Sequence, residues 1–362
     1  MGKGNSTYWT YVSYEKIPEN PNKWNLTESD YRVFKKTDWV VTEKIHGANF
    51  GIATDGLEVR FAKRKEFLQP DEDFFDYQSL KSQLVEQAKE IFKILQAEQN
   101  QLLKLFVYGE LFGGEYPHPD VPAVPHVQAV QTGIYYSPTI EYCAFDMAVE
   151  MKGNLVAQDY LDYDKAFNLC QQVGMIGTKP LFLGKYEEAL AYNPEFDSTI
   201  PALFGLPKLP FKNPAEGIVI KPIKSIYVET PKGKIRPILK IKIPEFSEDS
   251  RFHQATKWTS QKFTPLPTPT QGLSIEEELS QEMLALVTET RLCNVISKIG
   301  RVSGSDGEKK QQLVQLLMQD ILETFNEEWE SIFSALSGES QQILMEQLPQ
   351  ESQKLVEVYF NQ

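Results

Sequence analysis

Four chemically distinct groups crowd into five positions near residue 45. Glu43, Lys44, His46 and Gly47 lie in the stretch Thr42-Glu43-Lys44-Ile45-His46-Gly47-Ala48-Asn49-Phe50. Trp39, Val40 and Val41 precede it, and Phe50, Ile52 and Ala53 follow. That pattern predicts a tight loop between two strands, with polar groups offered to a cleft. Gly47 permits a positive φ or a close backbone approach. An amine held there can serve as a covalent nucleophile once its pKa is lowered. The competing reading is a charged hairpin end facing water.

A second group of candidates lies far along the chain. In Ile238-Leu239-Lys240-Ile241-Lys242-Ile243 the side chains alternate, so Lys240 and Lys242 share one face and the aliphatic residues the other. Two like charges at that spacing suit a bound anion such as phosphate, or a solvated sheet face. Glu110 follows Phe106 and Tyr108 on one strand face, a setting for a sugar hydroxyl. Phe145 is a stacking platform for a base or a core residue. Glu216 opens a strand and could hold a hydrated metal ion or a hydroxyl. No P-loop, dinucleotide fingerprint, zinc-ligand set or Ser-His-Asp order is present. His118, His126 and His253 receive no role.

These groups need scaffolding. At 362 residues the chain suggests two domains. Its three cysteines are odd in number and widely spaced, which argues against a disulfide frame or a zinc site. The N-terminus lacks the apolar core of a secretory signal. A cytoplasmic or other reducing intracellular compartment is the expectation, with no membrane partner. Met1-Gly2-Lys3-Gly4-Asn5-Ser6 matches only the bare myristoylation pattern. The net charge of −13 is unevenly spread. Residues 247–362 hold 18 acidic and 9 basic residues, against 32 and 28 in residues 1–246.

The alternation and turn signals predict strands over 39–42, 50–54, 57–64, 105–112, 141–149, 217–221 and 235–243, with helices over 79–103 and 161–172. Residues 8–34 read as an irregular lead-in with one short strand. The prolines at 265, 267 and 269 mark a linker over 247–272. Helical periodicity then covers 275–299, 308–325, 327–336 and 340–360, opened by a capping box at Ser274 and Glu277. The fold class is α+β: an N-terminal domain over 1–246 of mainly antiparallel sheets with flanking helices, and an all-α C-terminal domain over 273–362.

Six short motifs in this order carry a resemblance. Glu43-Lys44-Ile45-His46-Gly47 resembles nucleotidyltransferase motif I, in the form used by the phage RNA ligase 2 family and the kinetoplastid RNA-editing ligases. Ala62-Lys63-Arg64, Tyr108-Gly109-Glu110, Ala144-Phe145-Asp146, Ala215-Glu216-Gly217 and Leu239-Lys240-Ile241-Lys242 are similar to motifs Ia, III, IIIa, IV and V. Asn294 to Gly300, with Gln319 to Glu323, resembles the helical C-terminal domain of RNA ligase 2.

The resemblance implies an ATP-dependent RNA ligase that seals nicks in duplex RNA and acts as a monomer, with magnesium or manganese. Lys44 would attack the α-phosphate of ATP, with His46, Lys240 and Lys242 completing the catalytic set. Glu43, Ile45, Asn49 and Arg64 would contact the nucleotide. Phe145 would stack on adenine, Glu110 would bind the ribose, Lys221 would join the phosphate cluster and Glu216 would hold metal waters. An ordinary lysine has a pKa of about 10.4, so the lysine cluster is expected to lower that of Lys44. The helical domain would grip duplex RNA across the nick by shape and backbone; its net negative charge departs from that role unless Arg291, Lys298, Arg301, Lys309 and Lys310 gather on one face. A DNA ligase or capping enzyme is one alternative, and a catalytically inactive RNA-end-binding protein another.

Overall fold

The computed structural model describes residues 9–24, 26–230, 233–246, 279–280, 283–334 and 336–361. Two compact units divide the chain at Lys242 and Ile243. The linker prolines, the capping box at Ser274, the myristoylation pattern and His253 lie outside the described residues.

The first unit is built on two antiparallel sheets. The smaller contains β1 (Trp39–Glu43), β7 (Pro180–Gly184), β8 (Gly217–Pro222) and β11 (Leu239–Lys242), in the order β11-β8-β1-β7. The larger contains β2 (Ala48–Thr54), β3 (Val59–Ala62), β4 (Leu102–Glu115), β5 (Ser137–Met151) and β6 (Asn154–Tyr160), in the order β3-β2-β4-β5-β6. A separate ribbon pairs β9 (Val228–Thr230) with β10 (Gly233–Ile235).

Each sheet buries one face under helices. Helix α2 (Lys81–Glu98) and helix α3 (Tyr163–Gln172) cover the larger sheet. Leu84, Ile91 and Leu95 of α2 pack with Phe50, Ile52, Val107 and Met147. Helices α1 (Glu28–Lys36) and α4 (Tyr186–Leu190) contribute Phe34 and Tyr186 to the core of the smaller sheet, with Trp39, Val41, Ile218, Ile220 and Leu239. The other face of the larger sheet carries aromatic residues, where Phe106 and Tyr108 meet Trp9, Tyr11 and Tyr14 of the lead-in.

Several sequence expectations need correction. The lead-in holds helix α1, not a strand. Thr27 caps it, accepting from the Asp30 amide at 3.3 Å while Asp30 accepts from the Thr27 amide at 2.8 Å. Only Phe34 is buried along this helix, so the apolar stripe is too thin to read. Leu102 begins β4 and does not end α2. Leu57 sits in the turn, 85% exposed, because Asp55 accepts from both the Leu57 and Glu58 amides and delays pairing until Val59. The strand expected over 235–243 is broken at Arg236-Pro237-Ile238, where proline has no amide to donate. Strands β6 and β7 were not anticipated.

The second unit contains α5 (Glu289–Ile299), α6 (Gly307–Phe333) and α7 (Gly338–Phe360). Two predicted helices merge into α6. Thr288 caps α5 and Gly300, at φ 89°, ends it. Leu292, Val295, Leu313, Leu317, Ile321, Phe325, Leu344 and Leu348 form its core. Arg291 does not face outward: it is buried, donating to Asp320 at 2.8 Å and Thr324 at 3.0 Å. Lys298 pairs with the same Asp320 at 2.6 Å. Two of the five basic residues that would have to gather on one face are thus tied to a carboxylate within the unit. Among the described residues no helix is long and apolar enough to cross a membrane.

Candidate active site

Lys44 emerges just beyond β1, and its amide donates to the Gly217 carbonyl at 2.9 Å. Alternation along β1 then separates the two charged neighbours. Thr42 pairs with Val219, which also pairs with Lys240, whereas Glu43 pairs with Ile218 on the core-facing side. Lys44 therefore joins the lysine face. Glu43 turns away and is buried against the segment before Asn213. It accepts from Ser198 Oγ at 2.5 Å, the Thr199 amide at 2.8 Å and Thr199 Oγ1 at 2.6 Å. Its carboxylate is held by three protein donors, which fixes the loop. Gly47 is required for close approach, because a Cβ there would lie 2.1 Å from the Leu111 carbonyl oxygen. Ile45 is buried, and the His46 amide donates to the Tyr136 hydroxyl at 2.9 Å.

Glu216 is the hub. Its Oε2 lies 2.6 Å from Lys44 Nζ and 3.4 Å from His46 Nδ1, and its Oε1 lies 3.5 Å from Lys242 Nζ. Burial would raise its pKa, but Lys44, the His46 hydrogen bond and Lys242 hold the carboxyl well below the usual range. Lys240 and Lys242 reach a second carboxylate, Glu19, at 3.2 and 3.9 Å. The expected wall of lysines is present, but the group nearest Lys44 is an anion. That carboxylate, enclosed by three basic side chains, does not fit a directly bound divalent ion. No cluster of three or more metal-ligating side chains occurs among the described residues.

The larger sheet supplies the remaining groups. Asn49 and Glu110 are paired across β2 and β4. Desolvation in the cleft pushes Glu110 up to about 7, against the lowering influence of Lys44 and with Glu216 adding to the rise. Arg64 follows β3 and acts on Glu110 through its charge. Phe145 owes its position to a β-bulge. Tyr108 pairs with Asp146 and Gly109 with Ala144, so Phe145 is the extra residue and stays partly exposed. Tyr14 meets its ring edge-on at 4.9 Å between centroids.

Beside Phe145 lies a buried charge cluster that the sequence did not announce. Asp146 accepts from Arg236 Nη1 at 2.9 Å and from the Tyr14 hydroxyl at 2.8 Å. Lys221 donates to the Phe145 carbonyl at 2.6 Å and stands 3.7 Å from Asp146. Arg236 also pairs with Glu15 and lies 3.3 Å over the Tyr160 ring. Burial lowers the Lys221 pKa against the opposing pull of Asp146. Burial alone would raise Asp146, but Arg236 and Lys221 outweigh it and its carboxyl falls below the usual value. Lys221 thus sits behind the aromatic platform, on the same sheet face as Lys240 and Lys242.

The site therefore gathers Lys44, His46, Lys242 and Glu216 directly, with Lys240 one ion pair away through Glu19. A family model described as RNA ligase matches residues 37–242, and one described as T4 RNA ligase 2 C-terminal matches residues 270–354. RNA-editing ligase 2, mitochondrial, of Trypanosoma brucei brucei (strain 927/4 GUTat10.1) is 33% identical over 323 residues, covering 80% of this chain and 76% of that protein. RNA-editing ligase 1, mitochondrial, of Trypanosoma brucei brucei is 29% identical over 364 residues, covering 88% and 76%. A solved Naegleria gruberi RNA ligase with PPi is similar at a TM-score of 0.41 and 14% identity. That similarity covers 72% of this chain and 62% of that one, less than two thirds of its length. On the family models and the trypanosome relatives, the chain belongs to the RNA ligase family.

Proposed function

We propose that this RNA ligase uses ATP to seal nicks in duplex RNA through a lysyl-AMP intermediate. The observation that carries the reading is the meeting of Lys44, His46 and Lys242 on one buried carboxylate. In the first transfer Lys44 Nζ bonds to the α-phosphorus of ATP, the bond to the β-phosphate oxygen breaks, and pyrophosphate leaves with its electron pair. The amine proton goes to solvent. AMP then passes to an RNA 5′-phosphate, and a neighbouring 3′-hydroxyl displaces it.

For Lys44 to attack, its ion pair with Glu216 must open. An incoming phosphate offers Lys44 itself an alternative anion, so substrate binding loosens that pair. Lys240 and Lys242 then face the phosphates as point charges. Magnesium, or manganese in its place, enters this reading only as the counter-ion of the nucleotide's phosphates. The decisive experiment incubates the protein with α-labelled ATP and magnesium. Acid-labile label on the protein is expected; its absence would favour an inactive RNA-end-binding protein. Nicks that differ only in RNA or DNA at the 3′-hydroxyl side then separate an RNA ligase from a DNA ligase.

Two further outcomes follow from the pocket walls. Phe145→Ala is expected to raise the KM for ATP by roughly 10- to 100-fold, the worth of one base–aromatic stack. Its melting temperature should move little, since the ring is partly exposed; an unfolded variant would return Phe145 to the core. Glu110 should also impose a pH dependence. Its folded value of about 7 exceeds the ordinary 4.5, so its contribution to stability is full below 4.5 and is lost as pH rises through 7. Only above that pH is the carboxylate ionised and able to accept two ribose hydroxyls. ATP affinity measured by calorimetry should rise through pH 7 in the wild type, and Glu110→Gln should remove that inflection.

A further inference from the structure

The lead-in is anchored to the site at three points. Tyr14 bonds Asp146 at 2.8 Å, Glu15 pairs with Arg236, and the Lys240 amide donates to the Pro18 carbonyl at 3.0 Å. The last contact places the next residue, Glu19, at the edge of β11. Its Oε1 lies 3.2 Å from Lys240 Nζ and 3.9 Å from Lys242 Nζ. The backbone therefore delivers this carboxylate to the two lysines assigned to the phosphates. A carboxylate and a phosphate offer an ammonium the same kind of acceptor. Exposure separates the two carboxylates near Lys242: Glu216 is 3% exposed and Glu19 is 42% exposed. Glu19 can swing into water when an anion arrives, whereas Glu216 cannot.

We infer that Glu19 is a built-in anion that competes with polyphosphate for Lys240, and that its return to the lysines drives pyrophosphate out once Lys44 carries AMP. The inference rests on the ligase reading and extends it to the leaving group. Pyrophosphate bound on Lys240 could attack the phosphoramidate in reverse, re-forming ATP and freeing the lysine. A carboxylate tethered beside Lys240 shortens that stay without entering the chemistry. ATP must displace the same carboxylate on entry, so a looser grip on incoming nucleotide accompanies the faster release.

Titration calorimetry on the nucleotide-free full chain tests this, with inorganic pyrophosphate, tripolyphosphate and adenosine as probes. Glu19→Gln should tighten both inorganic anions about tenfold, as expected for removing one negative charge at contact distance in a partly solvated site. Adenosine affinity should not change. Glu19→Asp, with the charge kept and the reach shortened, should fall between. The lysyl-AMP form of Glu19→Gln should revert at a correspondingly lower pyrophosphate concentration. In a Lys240→Met background, Glu19→Gln should no longer alter anion affinity. Unchanged or weaker polyphosphate binding in Glu19→Gln, with normal labelling by ATP, overturns the inference and leaves the ligase reading standing. Failure of the wild-type chain to take label overturns both.

Discussion

Lys44→Ala is expected to abolish transfer of AMP to the protein while leaving the sealing of a pre-adenylated strand largely intact. In the proposed mechanism the amine supplies the atom that bonds to phosphorus, and no other side chain can replace it, so adenylylation should fall at least about 1,000-fold. The later steps ask different things of the site. Lys242 and His46 have their own contacts with Glu216, at 3.5 and 3.4 Å, that do not pass through Lys44, and Phe145 and Glu110 sit on the larger sheet. Labelled ATP measures the first activity, and a gel of pre-adenylated nicks measures the second. Loss of both in a folded protein would mean that Lys44 also acts after the first transfer.

Glu216→Gln should be the most damaging substitution to stability within the site. It leaves Lys44, His46 and Lys242 turned toward one another with their shared anion gone. Removing one partner of a buried ionic network costs about 3–5 kcal/mol, because the remaining charges stay desolvated without the carboxylate they share. Denaturant midpoints at pH 7 should show that loss. The pH dependence has a definite sign. The folded value of Glu216 is depressed, so its stabilisation is present above the ordinary 4.5 and fades as pH falls toward that depressed value. The gap between wild type and Glu216→Gln should therefore close in acid. A gap that widens in acid would show that the carboxyl is not held ionised by its three neighbours.

The parts of this site that lie on regular strands could be read from residue order. Lys240 and Lys242 alternate with Leu239 and Ile241, and the lysine face and core face fall where that alternation places them. The Lys44 loop could be read for the same reason: apolar strands bracket it, and Gly47 marks a close contact. What could not be read depends on partners distant in the chain. The bonds of the Glu43 carboxylate to Ser198 and Thr199 were not legible, because those residues lie in an irregular loop with no periodicity. The bulge that displays Phe145 arises from a mismatch between two strands and leaves no mark on either alone. Arg236, Asp146 and Glu15 gain their meaning only when three separate segments meet. In the helical unit Arg291 is internal, since a charge count cannot tell a surface cation from one buried on Asp320.

The strand order of the smaller sheet has a consequence for how the enzyme is made. β1, which leads into the Lys44 loop, has its two neighbours in strands beginning at Pro180 and Gly217. A ribosome releases Trp39, Val40 and Val41 long before either neighbour exists. During that interval an apolar ribbon with two open edges is available to chaperones or to other nascent chains. A truncated message ending before Gly217 would yield a chain that can neither finish this sheet nor bring Lys242 to the carboxylate hub, so the proposed adenylylation would require translation to pass that point.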